Sequence, residues 1–180
     1  MFNKLRLKVG DYILRRSVSR HVPEIVTLSR AKKIAILFDA KNLSVIKDVK
    51  VLLKYFLKLN IDVEIMGFVN SKKKENGYIS TLHINYFDLN DVSFFGIPKT
   101  SKINLFLKKR YDMLINLSLD NSFSTKYLAF MSNAKFRIGV CSGNDKLSYD
   151  LMLKLKIKSI DYLIEHTIHY LELINKNNEK

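Results

Sequence analysis

The stretch RYDMLINLSLDNSFSTKYLAFMSNAKFRIGV, residues 110–140, decides the fold of this chain. Its apolar run at 112–117 predicts a strand, residues 122–134 predict an amphipathic helix, and residues 136–140 predict a second strand. No nucleophile with a base, no set of metal ligands and no phosphate-cradling glycines stand out in it. The stretch therefore indicates how the chain is built and leaves its chemistry open.

The same pattern occurs where the globular part begins. Residues 34–38 form a continuous apolar run that ends at Asp39, which is typical of a strand buried on both faces. Asn42 or Ser44 is placed to cap a helix that runs to about residue 59, and residues 63–69 predict the next strand. Strand, helix and strand at this spacing predict a βαβ unit with a right-handed crossover.

The remaining segments continue the alternation. Strands are predicted at 84–87 and 151–155, a short helix at 103–109, and a long amphipathic helix at 161–176. Residues 2–19 also have apolar side chains at helical spacing, although Gly10 interrupts them. The fold class is therefore α/β, with a single Rossmann-like open parallel sheet and helices on both faces.

Length and composition favour one domain. A chain of 180 residues with 47% hydrophobic content suffices for a single core and is marginal for two. We expect a basic N-terminal arm at 1–32 and a Rossmann-like domain at 33–180.

The charge balance indicates a polyanionic partner. Lys and Arg number 31 against 17 Asp and Glu, a net charge of +14, and such a surface attracts nucleic acid above all. Residues 1–33 hold nine of the basic side chains and two of the acidic ones, which is half of the excess. A genome of low GC content offers an alternative explanation, because its codons enrich an ordinary protein in Lys, Asn and Ile.

Two groups of basic side chains are the candidate nucleic-acid contacts. The first, on the arm, comprises Arg6, Arg15, Arg16 and Arg20. We expect binding through it to weaken with salt and after replacement of Arg15, Arg16 and Arg20 by Ala. Three roles for the arm stay open: it docks on its own domain, it lies on an anionic membrane, or it folds onto RNA.

The second group lies on the helix that follows the first strand. Ile46, Val49, Leu53 and Phe56 form its apolar face, and the opposite face carries Lys47, Lys50, Lys54 and Lys58. These lysines either track a phosphate backbone or form the solvated face of an amphipathic helix.

Asp39 is a weaker candidate for a ligand contact. It ends the first strand, where open α/β sheets place ligand-binding residues, but an Asp there also serves as a turn or cap residue. The turn that follows contains neither G-x-G-x-x-G nor a P-loop, so a pyrophosphate has no glycine-rich cradle. We expect neither a dinucleotide nor a nucleotide sugar to bind.

Metal and thiol chemistry are not expected. The single cysteine, Cys141, excludes an intrachain disulfide and a cysteine-based zinc site, and we interpret it as an inert thiol. His166 and His169 lie opposite the apolar stripe of their predicted helix and lack the H-E-x-x-H order. We therefore predict no metal and no cofactor.

The hydropathy of the chain predicts the cellular compartment of the protein. No run of 18 apolar residues occurs, and charges interrupt every N-terminal window that could serve as a signal-peptide core. We expect a cytoplasmic protein without stable membrane insertion.

The sequence YDMLINLS, a helix, and then LAFMSNAKFRIGV resembles the N-terminal half of heptosyltransferase-type GT-B glycosyltransferases. Residues 33–60 and 164–174 also look like the opening βα unit and the closing helix of that half-domain. The resemblance is carried by Tyr111, Asp112, Leu117, Ser132, Ala134, Lys135, Arg137, Ile138 and Gly139. It implies a Rossmann-like fold and a transferase ancestry. The chain also resembles a family of short bacterial proteins that end the first strand on Phe-Asp and have no established activity.

The departures from the GT-B pattern concern the chemistry. That family carries its catalytic Asp in a Gly-Asp dipeptide of the first βα loop, followed by a Pro, whereas residues 39–44 read DAKNLS. The domain that binds the nucleotide sugar has no counterpart in these 180 residues. The resemblance thus implies a half-domain without the transferase machinery.

We accordingly predict a non-catalytic cytoplasmic α/β protein that binds a polyanion, foremost RNA or a ribonucleoprotein. One alternative is a glycosyltransferase-like half-domain that acts with a second subunit, which would make a protein its partner. The other is a peripheral membrane-associated protein that uses the basic arm.

Overall fold

The computed structural model describes residues 2–18, 21–72, 77–120, 122–141, 147 and 149–178, and for residues 2–4 it describes only the backbone. Within these residues, the strands are β1 (Lys33–Asp39), β2 (Asp62–Val69), β3 (Ile84–Asp88), β4 (Arg110–Asn116), β5 (Asn133–Val140) and β6 (Leu151–Leu153). The helices are α1 (Phe2–Ser17), α2 (Leu43–Lys58), α3 (Ser101–Lys108), α4 (Phe123–Met131) and α5 (Ile160–Asn178).

The strands form one sheet in the order β3-β2-β1-β4-β5-β6, and every neighbouring pair is parallel. The predicted fold class is confirmed, because this is the strand order of doubly wound dinucleotide-binding folds. The order reverses between β1 and β4: the chain first proceeds outward from β1 to β3, and then crosses back to β4 and proceeds outward to β6.

Two apolar layers cover the two faces of the sheet. In β1, Ile34, Ile36 and Phe38 face one layer, which contains α2 and α5, while Ala35 and Leu37 face the other, which contains α1, α3 and α4. All five of these side chains are fully buried. A strand covered on both sides must be apolar at successive positions, which explains the continuous run at 34–38.

Local signals set the ends of α2. The side chain of Asn42 accepts a hydrogen bond from the backbone N–H of Val45 at 3.1 Å, which confirms Asn42 as the N-cap. Beyond the last turn, Asn60 adopts a left-handed backbone with φ of 57°, a conformation that Asn tolerates well. Asp62 can then begin β2 beside Lys33.

The N-terminal helix docks on the domain. Leu14 is fully buried with the side chains of α3 and α4, and Asp11 forms ion pairs with Lys126 of α4 at 3.1 Å and with Arg15 at 2.6 Å. Of the three roles left open for the arm, its described part takes the first. Arg20 lies outside the described residues.

Gly10 does not interrupt α1 as the sequence predicted. The helix continues through it, and a Cβ at this position would lie 2.5 Å from the carbonyl oxygen of Phe95 and 2.9 Å from the ring of Phe123. The glycine allows α1 to approach α4 closely, so its role is in packing.

Two predicted boundaries were also wrong. α4 ends at Met131 because Ser132 adopts an extended backbone, with φ of −72° and ψ of 155°, after which Asn133 pairs with β4. β6 ends at Leu153, since only three of its residues pair with β5.

Candidate functional site

A cavity of about 470 Å³ lies at the carboxyl edge of the sheet, beside the point where the strand order reverses. Open α/β sheets bind ligands at this place, because the loops of strands that diverge there leave a crevice. The lining residues are Arg6, Leu7, Asp39, Ala40, Lys41, Phe68, Asn70, Leu89, Val92, Gly96, Asp120, Ser122, Phe123 and Ser124.

Asp39 and Ser118 join the two central strands at this edge. Asn116, the last residue of β4, accepts a hydrogen bond from the backbone N–H of Ser118 at 3.1 Å and so turns the chain. The hydroxyl of Ser118 donates to Oδ2 of Asp39 and also accepts from the N–H of Ser122 at 3.2 Å. The contact fixes the Asp39 carboxyl beside the first turn of α4.

The second carboxyl oxygen of Asp39 differs from the first in its hydrogen bonding. Oδ1 is buried and has no hydrogen-bond partner among the described residues. Burial raises the pKa of Asp39 above its ordinary value, and it outweighs the opposing effects of the Ser118 and Ser122 hydroxyls and of the Lys41 charge. A buried acceptor without a donor is costly, and the residue that carries it lines the cavity.

At the rim of the cavity, Asp120 is paired with lysine side chains, whereas Arg6 has no carboxylate partner among the described residues. Asp120 forms ion pairs with Lys41 and, at 2.6 Å, with Lys158, and the hydrogen bonds from Lys158 and Lys41 lower the pKa of Asp120 to about 2. Arg6 stacks its guanidinium 5.3 Å from the ring centroid of Phe94, and its Nε is buried without a partner among the described residues. Arg6 is thus the cation at this site that no described carboxylate neutralises.

The structure brings together two of the predicted contact residues, Arg6 and Asp39, at the cavity. On α1, Arg15 is paired with Asp11, and Arg16 donates to the hydroxyl of Tyr12 at 2.9 Å. The α2 lysines belong to the opposite layer from α1, so the two basic groups do not form one continuous surface.

We call the side of α2 formed by Lys47, Lys50, Lys54 and Lys58 the lysine face. All four side chains are exposed, and none forms an ion pair with a described residue. The opposite side of α2 is buried in the core as predicted, with Ile46, Val49, Leu53 and Phe56.

The residues that resemble the glycosyltransferase half-domain have structural roles. Tyr111 donates to Glu64 at 2.9 Å, and Asp112 accepts from the N–H groups of Lys32 and Lys33 at the start of β1. Arg137 is buried, where it donates to the carbonyl of Ser132 at 2.9 Å. These contacts position strands and helices, and none of the three residues lines the cavity.

The histidines and the cysteine form no apparent site. No group of three potential metal ligands occurs within the described residues, and the ring of His166 lies 4.1 Å from that of Tyr162. Cys141 is exposed, and residues 142–146, which follow it, lie outside the described part. None of the helices, as far as the structure describes them, has the length and apolar character that crossing a membrane requires.

Several cavity residues were missed by sequence reasoning. Ser118, which holds Asp39 without lining the cavity, had a detectable signal, because it follows a predicted central strand as Asp39 does. Phe68, Phe123 and Leu7 carried no such signal in the sequence. Each resembles an ordinary core residue unless the positions of the helices are known.

Comparison with known proteins gives one match. The model of a family described as a family of unknown function, DUF6913, matches residues 6–174. No curated protein and no solved structure matches the chain. The glycosyltransferase resemblance therefore rests on the Rossmann-like fold and on packing residues alone.

Proposed function

Because the chain belongs to the DUF6913 family, whose function is unknown, we propose a function from the geometry of its own surface. The protein is a non-catalytic α/β protein that binds a polyanionic partner, RNA or a ribonucleoprotein, through the lysine face of α2. The observation that carries this proposal is the row of four exposed lysines that no described carboxylate neutralises.

The spacing of the lysine face suits contact with the phosphate backbone of a nucleic acid. Positions 47, 50, 54 and 58 are three or four residues apart, so their side chains project from one side of the helix over about 16 Å. Lysine binds phosphate as a point charge on a flexible stem, which suits contact without base reading. The proposal is therefore a sequence-independent interaction with the phosphate backbone.

The distribution of the acidic residues supports the same proposal. Asp11, Asp62, Glu64, Asp91, Asp112 and Asp120 are all paired with lysine or arginine side chains elsewhere on the molecule. On α2, by contrast, Asp48 is the single acidic residue among the sixteen. The four lysines of α2 thus form a positive patch that no described carboxylate compensates.

The basic side chains of the N-terminal arm are less available to a polyanion than the net charge of the arm suggested. Arg15 and Lys126 share Asp11, and Arg6 is held against Phe94. The pairs with Asp11 stabilise the docking of α1, so a polyanion would have to compete with Asp11 for Arg15 and Lys126.

An anionic membrane surface is the second candidate partner. On α1, Leu5 and Tyr12 are 64% and 59% exposed, and the exposed basic side chains of Lys8 and Arg16 lie on the same helix. Apolar side chains beside basic ones suit the interface of a negatively charged bilayer. Among the described residues, no observation favours the glycosyltransferase-like alternative.

The proposal is tested by fluorescence anisotropy with a labelled single-stranded RNA. Replacing Lys47, Lys50, Lys54 and Lys58 with Gln should weaken binding at least about tenfold in low salt, because four phosphate contacts are lost. The matched control replaces four other exposed lysines, Lys99, Lys108, Lys154 and Lys156, and changes the net charge equally.

The outcomes separate the candidates. If the control variant loses as much affinity as the lysine-face variant, the net charge matters and the lysine face does not. If neither variant nor the wild type binds RNA, but the wild type sediments with phosphatidylserine vesicles, the membrane candidate replaces the first.

A further inference from the structure

The cavity at the carboxyl edge takes no part in the polyanion proposal, since the lysine face lies in the other layer. Its volume of about 470 Å³ lies inside the range of about 300–1,000 Å³ that is usual for small-molecule sites. Two buried polar atoms at it, Oδ1 of Asp39 and Nε of Arg6, have no partner within the described residues.

We propose that this cavity binds a nucleoside monophosphate, with the sugar hydroxyls at Asp39, the base against the apolar wall, and the phosphate between Arg6 and the start of α4.

Asp39 selects for hydroxyl donors. One of its carboxyl oxygens already accepts from Ser118, and the other is buried and lacks a donor. A vicinal diol supplies hydrogen-bond donors to a carboxylate at the end of a strand, which is how α/β sheets hold a ribose. Because Asp39 lines the cavity while Oδ1 itself is buried, rotation of the carboxyl group would bring this unpaired acceptor to the ligand.

The remainder of the cavity divides into an apolar and a cationic part. Phe68, Leu89, Val92 and Phe123 line it, and aromatic rings among aliphatic side chains suit a planar base. Arg6 adds a guanidinium, which matches the geometry of phosphate oxygens.

The start of α4 reinforces the preference for an anion. Ser122, Phe123 and Ser124 line the cavity, and the N–H groups of a first helical turn have no acceptor within the helix. The helix dipole adds a partial positive charge at the same end. The turn after β1 has no glycines to cradle a pyrophosphate, which favours one phosphate over two.

The test is isothermal titration calorimetry of the full chain with AMP, GMP, CMP and UMP, and with adenosine and NAD as comparisons. At least one monophosphate should bind, more tightly than adenosine or NAD does. Asp39→Asn should weaken that binding by about tenfold or more, because a hydrogen bond to a charged acceptor is lost. Arg6→Gln should weaken the binding of the monophosphate and leave that of adenosine unchanged.

Two controls keep the test decisive. The lysine-face variant should bind the monophosphate like the wild type, so that failure of the polyanion proposal leaves this one standing. Circular dichroism confirms that each variant is folded. The proposal is overturned if no monophosphate binds at millimolar concentration, if adenosine binds as tightly as AMP, or if the folded Asp39→Asn and Arg6→Gln variants bind like the wild type.

Discussion

At the scale of single residues, Asp39 combines a structural cost with a position at the cavity. Its Oδ1 is buried without a described partner, and burial raises its pKa. Residues that bind ligands are often held in states that reduce the stability of the free protein. Asp39 fits that pattern better than the role of a turn or cap residue.

Replacing Asp39 with Asn should therefore raise the free energy of unfolding at neutral pH, by up to about 1 kcal/mol. The amide keeps an oxygen that accepts from Ser118 and removes the buried charge. Urea unfolding of both proteins measures the difference, and Asp48→Asn on α2 is the control, because Asp48 is partly exposed and forms no ion pair with a described residue. A less stable Asp39→Asn protein at pH 7 would contradict the assignment.

The gain in the free energy of unfolding from Asp39→Asn should also depend on pH. The pKa of Asp39 is higher in the folded protein than its ordinary value of 3.8. The contribution of Asp39 to the free energy of unfolding is therefore fully present below pH 3.8 and is lost as the pH rises through the folded pKa. The advantage of Asn should be largest at neutral pH and should vanish near pH 3.8. An advantage that is constant from pH 4 to 7 would mean that the charge is not its cause.

Gly67, in the middle of β2, is a site of close packing. A Cβ there would lie 2.7 Å from the ring of Phe38 and 2.8 Å from that of Tyr86. Gly67→Ala should lower the free energy of unfolding by about 1–3 kcal/mol through overpacking. Gly77→Ala is the control, since its Cβ would meet only the flexible end of Leu43. Equal stability of the two variants in urea would refute this explanation.

At the scale of elements, α1 belongs to the folded core. Leu14 is fully buried, whereas Leu5 on the same helix is 64% exposed. Leu14→Ala should cost about 2–5 kcal/mol of unfolding free energy, and Leu5→Ala less than about 0.5. Thermal or urea unfolding checks both. If Leu14→Ala unfolds like the wild type, α1 is a loose arm and the cavity loses one of its walls.

The sequence predicted the elements that carry their own periodicity. Residues 34–38, 63–69 and 136–140 are apolar at successive positions because both faces of the sheet are covered, and this is visible without a structure. The role of Gly10 was misjudged, because what matters there is the distance to Phe123 on a helix more than a hundred residues later. Local sequence carries no record of such a contact.

The cavity was only partly predictable for the same reason. Asp39 was identified from its place at the end of a strand, which is a local property. The contributions of Arg6 and Leu7 depend on where α1 docks, and Ser122 contributes because the turn after β4 bends toward Asp39. These are tertiary relations that no spacing in the sequence indicates.

At the scale of the whole molecule, the doubly wound topology separates two possible binding regions. The lysine face of α2 lies in one layer, and the cavity is built from α1, α4 and the carboxyl ends of the central strands on the other side. A polyanion and a small ligand could therefore bind at the same time. The turn after β1 connects the two regions, because Ala40 and Lys41 line the cavity and α2 begins at Leu43.

The polyanion claim is tested most directly by the salt dependence of RNA binding. Each neutralised phosphate of a single strand contributes about 0.7 to the slope of log K against log salt concentration. We expect the lysine-face variant, with Lys47, Lys50, Lys54 and Lys58 replaced by Gln, to have a slope about 3 smaller in magnitude than the wild type, whereas the matched control variant keeps the slope of the wild type. Identical slopes for the wild type and the lysine-face variant would contradict it.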